Sequence, residues 1–196
     1  MESARFRQVI EKIDASNRED PRRISAEGGA EPLELAYSQW ITDWVKRLDP
    51  GASEELLIAA RGQHIRRWEI PRESYPDDRS GYLRWREALK QLHAGRVGQI
   101  MREAGYDETS VEKVARIILK KNIRDPESQA VEDALCLVFL ERQFADLARK
   151  EPEEKMLGIL RKTWRKMGEK GRAEALKVRL DPTEEALLKK ALAPPA

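Results

Sequence analysis

With 196 residues, the chain has the length of one ordinary domain of roughly 100–200 residues. That is enough to bury about 70 % of the surface the unfolded chain exposes, so a core needs neither disulfides nor a structural metal. Charged residues make up 37 %, above the roughly 25 % of average globular chains, and broad solvated helix faces account for the excess. The net charge of +2 is too small to argue for nucleic acid. A single cysteine, Cys136, excludes an internal disulfide and points to a reducing compartment. No apolar run approaches the ~20 residues that cross a bilayer, and the polar start is no signal peptide. The expected location is the cytoplasm, without a membrane partner.

Apolar spacing predicts helix after helix. Phe6, Val9, Ile10 and Ile13 recur at helical intervals. Residues 20–31, with Pro21, Gly28 and Gly29, read as the first long loop. A second helix after Pro32 carries Leu33, Tyr37, Trp40, Ile41, Trp44 and Leu48, and Asp49-Pro50-Gly51 breaks it. Ser53 suits the cap of a third helix bearing Leu56, Leu57, Ala59, Ala60 and Ile65. A polar loop from Pro71 to Gly81 precedes a long helix of about 82–104, which Gly105 can end. Val111, Val114, Ile117 and Ile118 mark the next. Asp125-Pro126 is a start signal for a helix of about 126–149. Its segment 134–140 is apolar nearly all round, as in a central core helix, so Ala134, Leu135, Val138 and Phe139 are expected to be buried, with Cys136 a buried apolar residue. Pro152 and Asp181-Pro182 open the last two. No period-2 run is long enough for a strand. The expected fold is all-α: one helical domain over 1–196, with its core in about 1–180 and a short C-terminal helix and frayed tail over 181–196.

The chemistry-bearing residues are few. There are two histidines, His64 and His93, and either suits a hydrogen-bonded structural role or a ligand role. Glu132 and Asp133 open the most apolar helix. A buried carboxylate is costly unless paired or metal-bound, so their partner is an Arg, a Lys or a metal. Two imidazoles and one or two carboxylates suit Mn, Fe, Ni or Zn. Phosphate-binding loops, dinucleotide fingerprints, Cys-x-x-Cys, His-Glu-x-x-His and a serine elbow are all absent. Metal-assisted hydrolysis is therefore the main enzymatic route left. Between Arg61 and Arg102, ten lysines and arginines stand against five carboxylates. Within that window Arg67, Arg72, Tyr75, Arg79, Tyr82 and Arg86 form an arginine-aromatic corner. Guanidinium forks bind phosphate bidentately and aromatic rings stack bases; the same residues equally serve helix ends and carboxylates within a bundle.

Several segments resemble a family named as domain of unknown function 4202. They include Glu34-Leu35-Ala36-Tyr37-Ser38, Ala59-Ala60-Arg61-Gly62-Gln63-His64-Ile65, Arg67-Trp68, Pro71-Arg72, Gly81-Tyr82-Leu83, Trp85-Arg86, His93-Ala94 and Glu132-Asp133-Ala134. More distantly, the chain resembles the HD superfamily of metal-dependent phosphohydrolases, which are helical. In that likeness Tyr37 and Gln63 stand where metal-binding residues would, and only His93 and Asp133 keep the usual type. The resemblance implies a rebuilt metal site of His64, His93 and Asp133, with Glu132 orienting a water or a histidine in a catalytic role. The corner arginines would hold a phosphorylated small molecule or nucleotide. The alternative is a non-catalytic ligand-binding or adaptor module that has lost the metal.

Overall fold

A computed structural model describes residues 3–26, 29–122 and 125–193, and among them the expected all-α class holds. The described residues form ten α-helices, two short 3-10 turns and one two-stranded sheet. The loop glycine Gly28 and the tail residues Pro194, Pro195 and Ala196 lie outside the described residues. Within the stretch expected as one domain, backbone contacts gather into two compact units, Met1–Ser128 and Gln129–Ala196.

The first unit is built on five helices. Helix α1 (Ala4–Arg18) starts where the Ser3 hydroxyl accepts a hydrogen bond from the Phe6 N–H at 3.1 Å. Strands β1 (Arg23–Ala26) and β2 (Gly29–Pro32) follow as an antiparallel hairpin, with Arg23 opposite Pro32 and Ala26 opposite Gly29. Here the structure differs from the expected loop. Four-residue strands with no apolar alternation leave no periodic trace in sequence, and Gly29 supplies the φ of +117° with which β2 begins. Helices α2 (Leu33–Leu48), α3 (Glu54–Arg61), α4 (Arg79–Glu103) and α5 (Glu108–Leu119) complete the unit. Helix α4 packs on α5, α3 on α5 and α2, and α1 on α2, α3 and α4. Val9, Ile13, Ile41, Val45, Leu56, Ile58, Val97, Met101 and Ile118 fill the interior.

Two features place the turn after α3. Arg61, its last residue, grips buried Asp14 of α1 through Nε and Nη2 at 2.6 and 2.7 Å. Gly62 then lets α3 end against α4: a Cβ there would meet the Val97 Cγ2 at 2.3 Å. Beyond it, Arg66 adopts a left-handed conformation (φ 52°, ψ 34°), rare for a residue with a side chain. Asn17 Oδ1 accepts its N–H at 3.2 Å, and Glu19 and Glu69 hold its guanidinium.

In the second unit, the predicted helix of about 126–149 divides. Helix α6 (Pro126–Arg142) ends before Gln143, and α7 (Phe144–Lys150) follows. Helix α8 (Glu153–Lys166), the short α9 (Glu169–Ala175) and α10 (Pro182–Leu192) complete it. Asp181 and Glu184 form a reciprocal cap on α10, as Asp181-Pro182 predicts. Helices α7, α8 and α10 pack together, and Phe144, Met156, Leu160 and Leu188 are buried. On α6, Ala134, Leu137 and Val138 are buried at i, i+3 and i+4, and Cys136 is buried as expected. Leu135 and Phe139, expected to be buried, lie beside that stripe and are only half-buried, because a helix apolar all round still presents one face most deeply.

The glycine contacts generate a paired prediction. Gly62→Ala should destabilise the protein by about 1–3 kcal/mol through overpacking against Val97. Gly95→Ala, where a Cβ meets nothing within 4 Å in mid-helix, should stabilise it by about 0.5–1 kcal/mol. Urea unfolding of both variants checks this; equal shifts would show that α3 does not need the close approach.

Candidate functional site

Asp20 sets the geometry at the entry to α2. It is 1 % exposed and accepts the Glu34 N–H at 3.0 Å, capping the helix, while its two oxygens take the Arg22 Nε and Nη2, each at 3.0 Å. Arg22 Nη2 also donates to Glu34 Oε1 at 2.7 Å. Glu34 thus stands in the first turn of α2, where a negative charge suits the helix dipole, with its carboxylate buried. Its other oxygen, Oε2, is 3.1 Å from His64 Nδ1, though outside good hydrogen-bond alignment. Arg67 Nε is 4.0 Å from Oε1. Burial pushes the Glu34 carboxyl up, but His64, Arg67 and Arg22 outweigh it and hold it below its ordinary value.

Around this carboxylate lies a layer of rings and guanidiniums. The His64 ring centroid is 5.9 Å from Tyr37 and 6.2 Å from His93. The Arg67 guanidinium lies over the Trp85 ring at 4.9 Å, and Trp85 is fixed by its Nε1–H donating to Ile70 O at 2.9 Å. Trp85 and Tyr82 are 5.9 Å apart, and Arg86 donates to the Tyr82 hydroxyl at 3.1 Å. The electrostatics are lopsided. Among the described residues, the Arg67 side chain has no hydrogen bond and only the distant Glu34 as counter-charge, and Arg86 has no carboxylate partner. Burial, with Arg86 and Arg22 nearby, lowers the Arg67 pKa, which Glu34 only partly offsets. Burial also pulls His64 down, and Arg67 and Arg86 add to this against the pull of Glu34. His93 is 3 % exposed. Its Nδ1–H donates to Ile65 O at 2.8 Å, its Nε2 has no hydrogen bond, and burial followed by His64 drives its pKa down to about 3.

The other candidates have different surroundings. Arg72 donates to the carbonyls of Tyr75 and Pro76, both at 2.9 Å, and stands 3.3 Å from Asp77, so its fork clamps its own loop. Arg79 is exposed and Tyr75 half-buried, and neither side chain makes a hydrogen bond or ion pair among the described residues. Asp133 and Glu132 belong to the second unit. Asp133 Oδ1 accepts Gln129 Nε2 and the Gly168 N–H, both at 2.8 Å. Gly168 is the residue that caps α9, and a Cβ on Gly171 would sit 2.5 Å from the Asp133 carboxyl carbon. Asp133 therefore meets its burial with the start of α9. Glu132 has Lys166 Nζ at 3.5 Å. Among the described residues, no three His, Cys, Asp or Glu side chains stand together as a metal-binding group. Of the ligands that the HD resemblance implies, His64 and His93 lie in the first unit and Asp133 in the second.

Sequence reasoning missed Glu34 and Arg22 as site residues. An acidic residue in a first helical turn reads as a dipole complement. The one available signal was that Glu34 and Tyr37 share a segment already singled out.

The family model described as Domain of unknown function (DUF4202) matches residues 7–188. The chain belongs to that family. No curated protein and no solved structure matches it.

His93 carries a pH prediction. A histidine with an ordinary pKa near 6.5 when unfolded and about 3 when folded binds its proton only in the unfolded state between those values. Its contribution is complete above pH 6.5 and falls as pH drops towards 3, by up to about 1.4 kcal/mol per unit. Urea unfolding between pH 6.5 and 4.5 should show a shallower loss of stability in His93→Gln than in the native chain. Identical slopes would mean that His93 titrates normally.

Proposed function

We propose that this member of the DUF4202 family binds a phosphorylated small molecule or nucleotide at the Arg67–Arg86 corner of its first unit. The observation that carries this reading is the state of Arg67. Its side chain is 26 % exposed, its guanidinium stacks on Trp85, and it is acted on by the charges of two further arginines, Arg86 and Arg22, with one buried carboxylate 4.0 Å away. Of the carboxylates in the cluster, Asp20 is taken up by Arg22 and Glu34 is shared. An anion placed between Arg67 and Arg86 would supply the missing counter-charge, and guanidinium forks match phosphate geometry. Tyr82, 42 % exposed, offers a hydroxyl and a ring face at the rim.

The reading is one of binding. A divalent ion would add Lewis-acid and water-activating chemistry to a bound phosphate, and among the described residues no three His, Cys, Asp or Glu side chains stand together to hold one. The grouping of arginines and aromatics at one corner favours the binding module over the metal-dependent hydrolase.

Titration of inorganic phosphate and of AMP by calorimetry tests this. Arg67→Ala and Arg86→Ala should each weaken binding about tenfold to a hundredfold, the weight of a hydrogen bond to a charged group, and added salt should weaken it further. Arg72→Ala should leave affinity nearly unchanged, since that fork serves its loop. Unchanged binding in both Arg67→Ala and Arg86→Ala would refute the reading.

A further inference from the structure

The net charge of +2 conceals an uneven distribution. Between Lys155 and Arg179, nine lysines and arginines stand against two carboxylates, Glu169 and Glu174. The stretch covers most of α8, all of α9 and the turn after it, within the second unit. Lys155, Lys166 and Lys177 have carboxylate partners. Arg161, Lys162, Arg165, Lys170, Arg172 and Arg179 have none among the described residues. Cations in a last helical turn, as Arg165 is in α8, complement the helix dipole. Arg161 and Lys162 stand before that turn, and Lys170 stands in the first turn of α9, where the dipole opposes it.

Part of this surface is a shaped cleft. Arg161, Trp164 and Arg165 line it from α8 and Leu192 from the end of α10, around a volume of about 540 Å³. Trp164 is half-buried and both arginines are exposed. Arg161 Nε donates to Ala191 O at 3.2 Å and Arg165 Nε to Arg161 O at 3.3 Å. The Nη groups of both make no hydrogen bond among the described residues. Each guanidinium is therefore anchored at one end and open at the other, and the two lie on one helix face at i and i+4.

We propose that this cleft binds single-stranded nucleic acid, with phosphates held by Arg161 and Arg165 and a base stacked on Trp164. Lys162 and Lys170 extend the positive field along the strand. Arginines and an aromatic ring in one positively charged groove are what sequence-tolerant binding of a single strand requires. An acidic peptide would satisfy the arginines but carries no base to stack on Trp164, and a duplex keeps its base faces inside its own stack. The site lies in the second unit and does not rest on the Arg67–Arg86 reading.

Fluorescence anisotropy of a labelled thymidine oligonucleotide of about twelve nucleotides, within the usual site sizes, titrated with the full chain over a salt series, tests this. Binding should saturate, and log K should fall linearly with log salt. Arg161→Ala and Arg165→Ala should each flatten that slope by about 0.7, the weight of one phosphate contact on a single strand, and Arg67→Ala should leave it unchanged. An abasic strand of the same length and charge should bind the native chain about fivefold to a hundredfold more weakly, the loss of one stacked base; this comparison depends on no variant folding. Absence of saturable binding at low salt, equal binding of the abasic strand, or loss in Arg67→Ala with both α8 variants unchanged would each overturn the proposal. Displacement of the oligonucleotide by an equal concentration of polyglutamate of the same charge would overturn it in favour of an acidic peptide.

Discussion

Burying a carboxylate at the start of α2 is the constraint around which the first unit is arranged. Glu34 is 3 % exposed, and an ionised carboxylate taken out of water is tolerable only when paired and hydrogen-bonded. Arg22 from the start of the hairpin and His64 and Arg67 from the turn after α3 are drawn to it. Asp20 fixes the first of these by holding Arg22 with both oxygens while capping α2. The result pairs Glu34 with cations, although its Oε2 has no aligned hydrogen bond, and leaves more guanidinium charge than the local carboxylates can offset. A structural network that closes on itself would not carry that surplus, and this is why the corner reads as a place for a ligand.

The turn bearing His64 and Arg67 is held from several sides. The Asp14–Arg61 pair ties α1 to the end of α3, Gly62 permits the approach to Val97, and Asn17 accepts from the backbone of Arg66 in its left-handed conformation. Sparsely populated backbone conformations persist where the surroundings over-determine them. Here those surroundings are Glu19 and Glu69 on the Arg66 guanidinium and Asn17 on its amide. One residue on, Arg67 reaches Trp85 without support of that kind. The contrast between a clamped Arg66 and an under-paired Arg67 separates scaffold from site.

Most of the helices were legible because their ends carry chemistry. Ser53 and Asp181 cap as their residue types predict, and the Asp125 side chain accepts the Ser128 N–H at 2.9 Å. The hairpin was not legible, since its four-residue strands are defined by backbone pairing rather than by side-chain alternation. Arg67, Tyr82 and Arg86 could be proposed from sequence because arginine and aromatic residues cluster there. Arg72 could not be told apart from them: the same planar fork binds phosphate or carbonyl oxygen, and only the fold shows that it faces Tyr75 and Pro76. Glu132 and Asp133 were rightly expected to need partners. Those described are a lysine for Glu132 and, for Asp133, an amide side chain and a helix-capping N–H, which a sequence cannot distinguish from a metal.

The central claim is that Arg67 and Arg86 are the arginines that meet an anion. Nitrogen-15 spectra of the arginine Nε–H groups during titration with inorganic phosphate test it most directly. The account predicts saturable shifts of the Arg67 and Arg86 resonances, with the Arg61 resonance, locked to Asp14, unmoved. Shifts confined to exposed arginines such as Arg79 and Arg84, with Arg67 unaffected up to saturating phosphate, would contradict it.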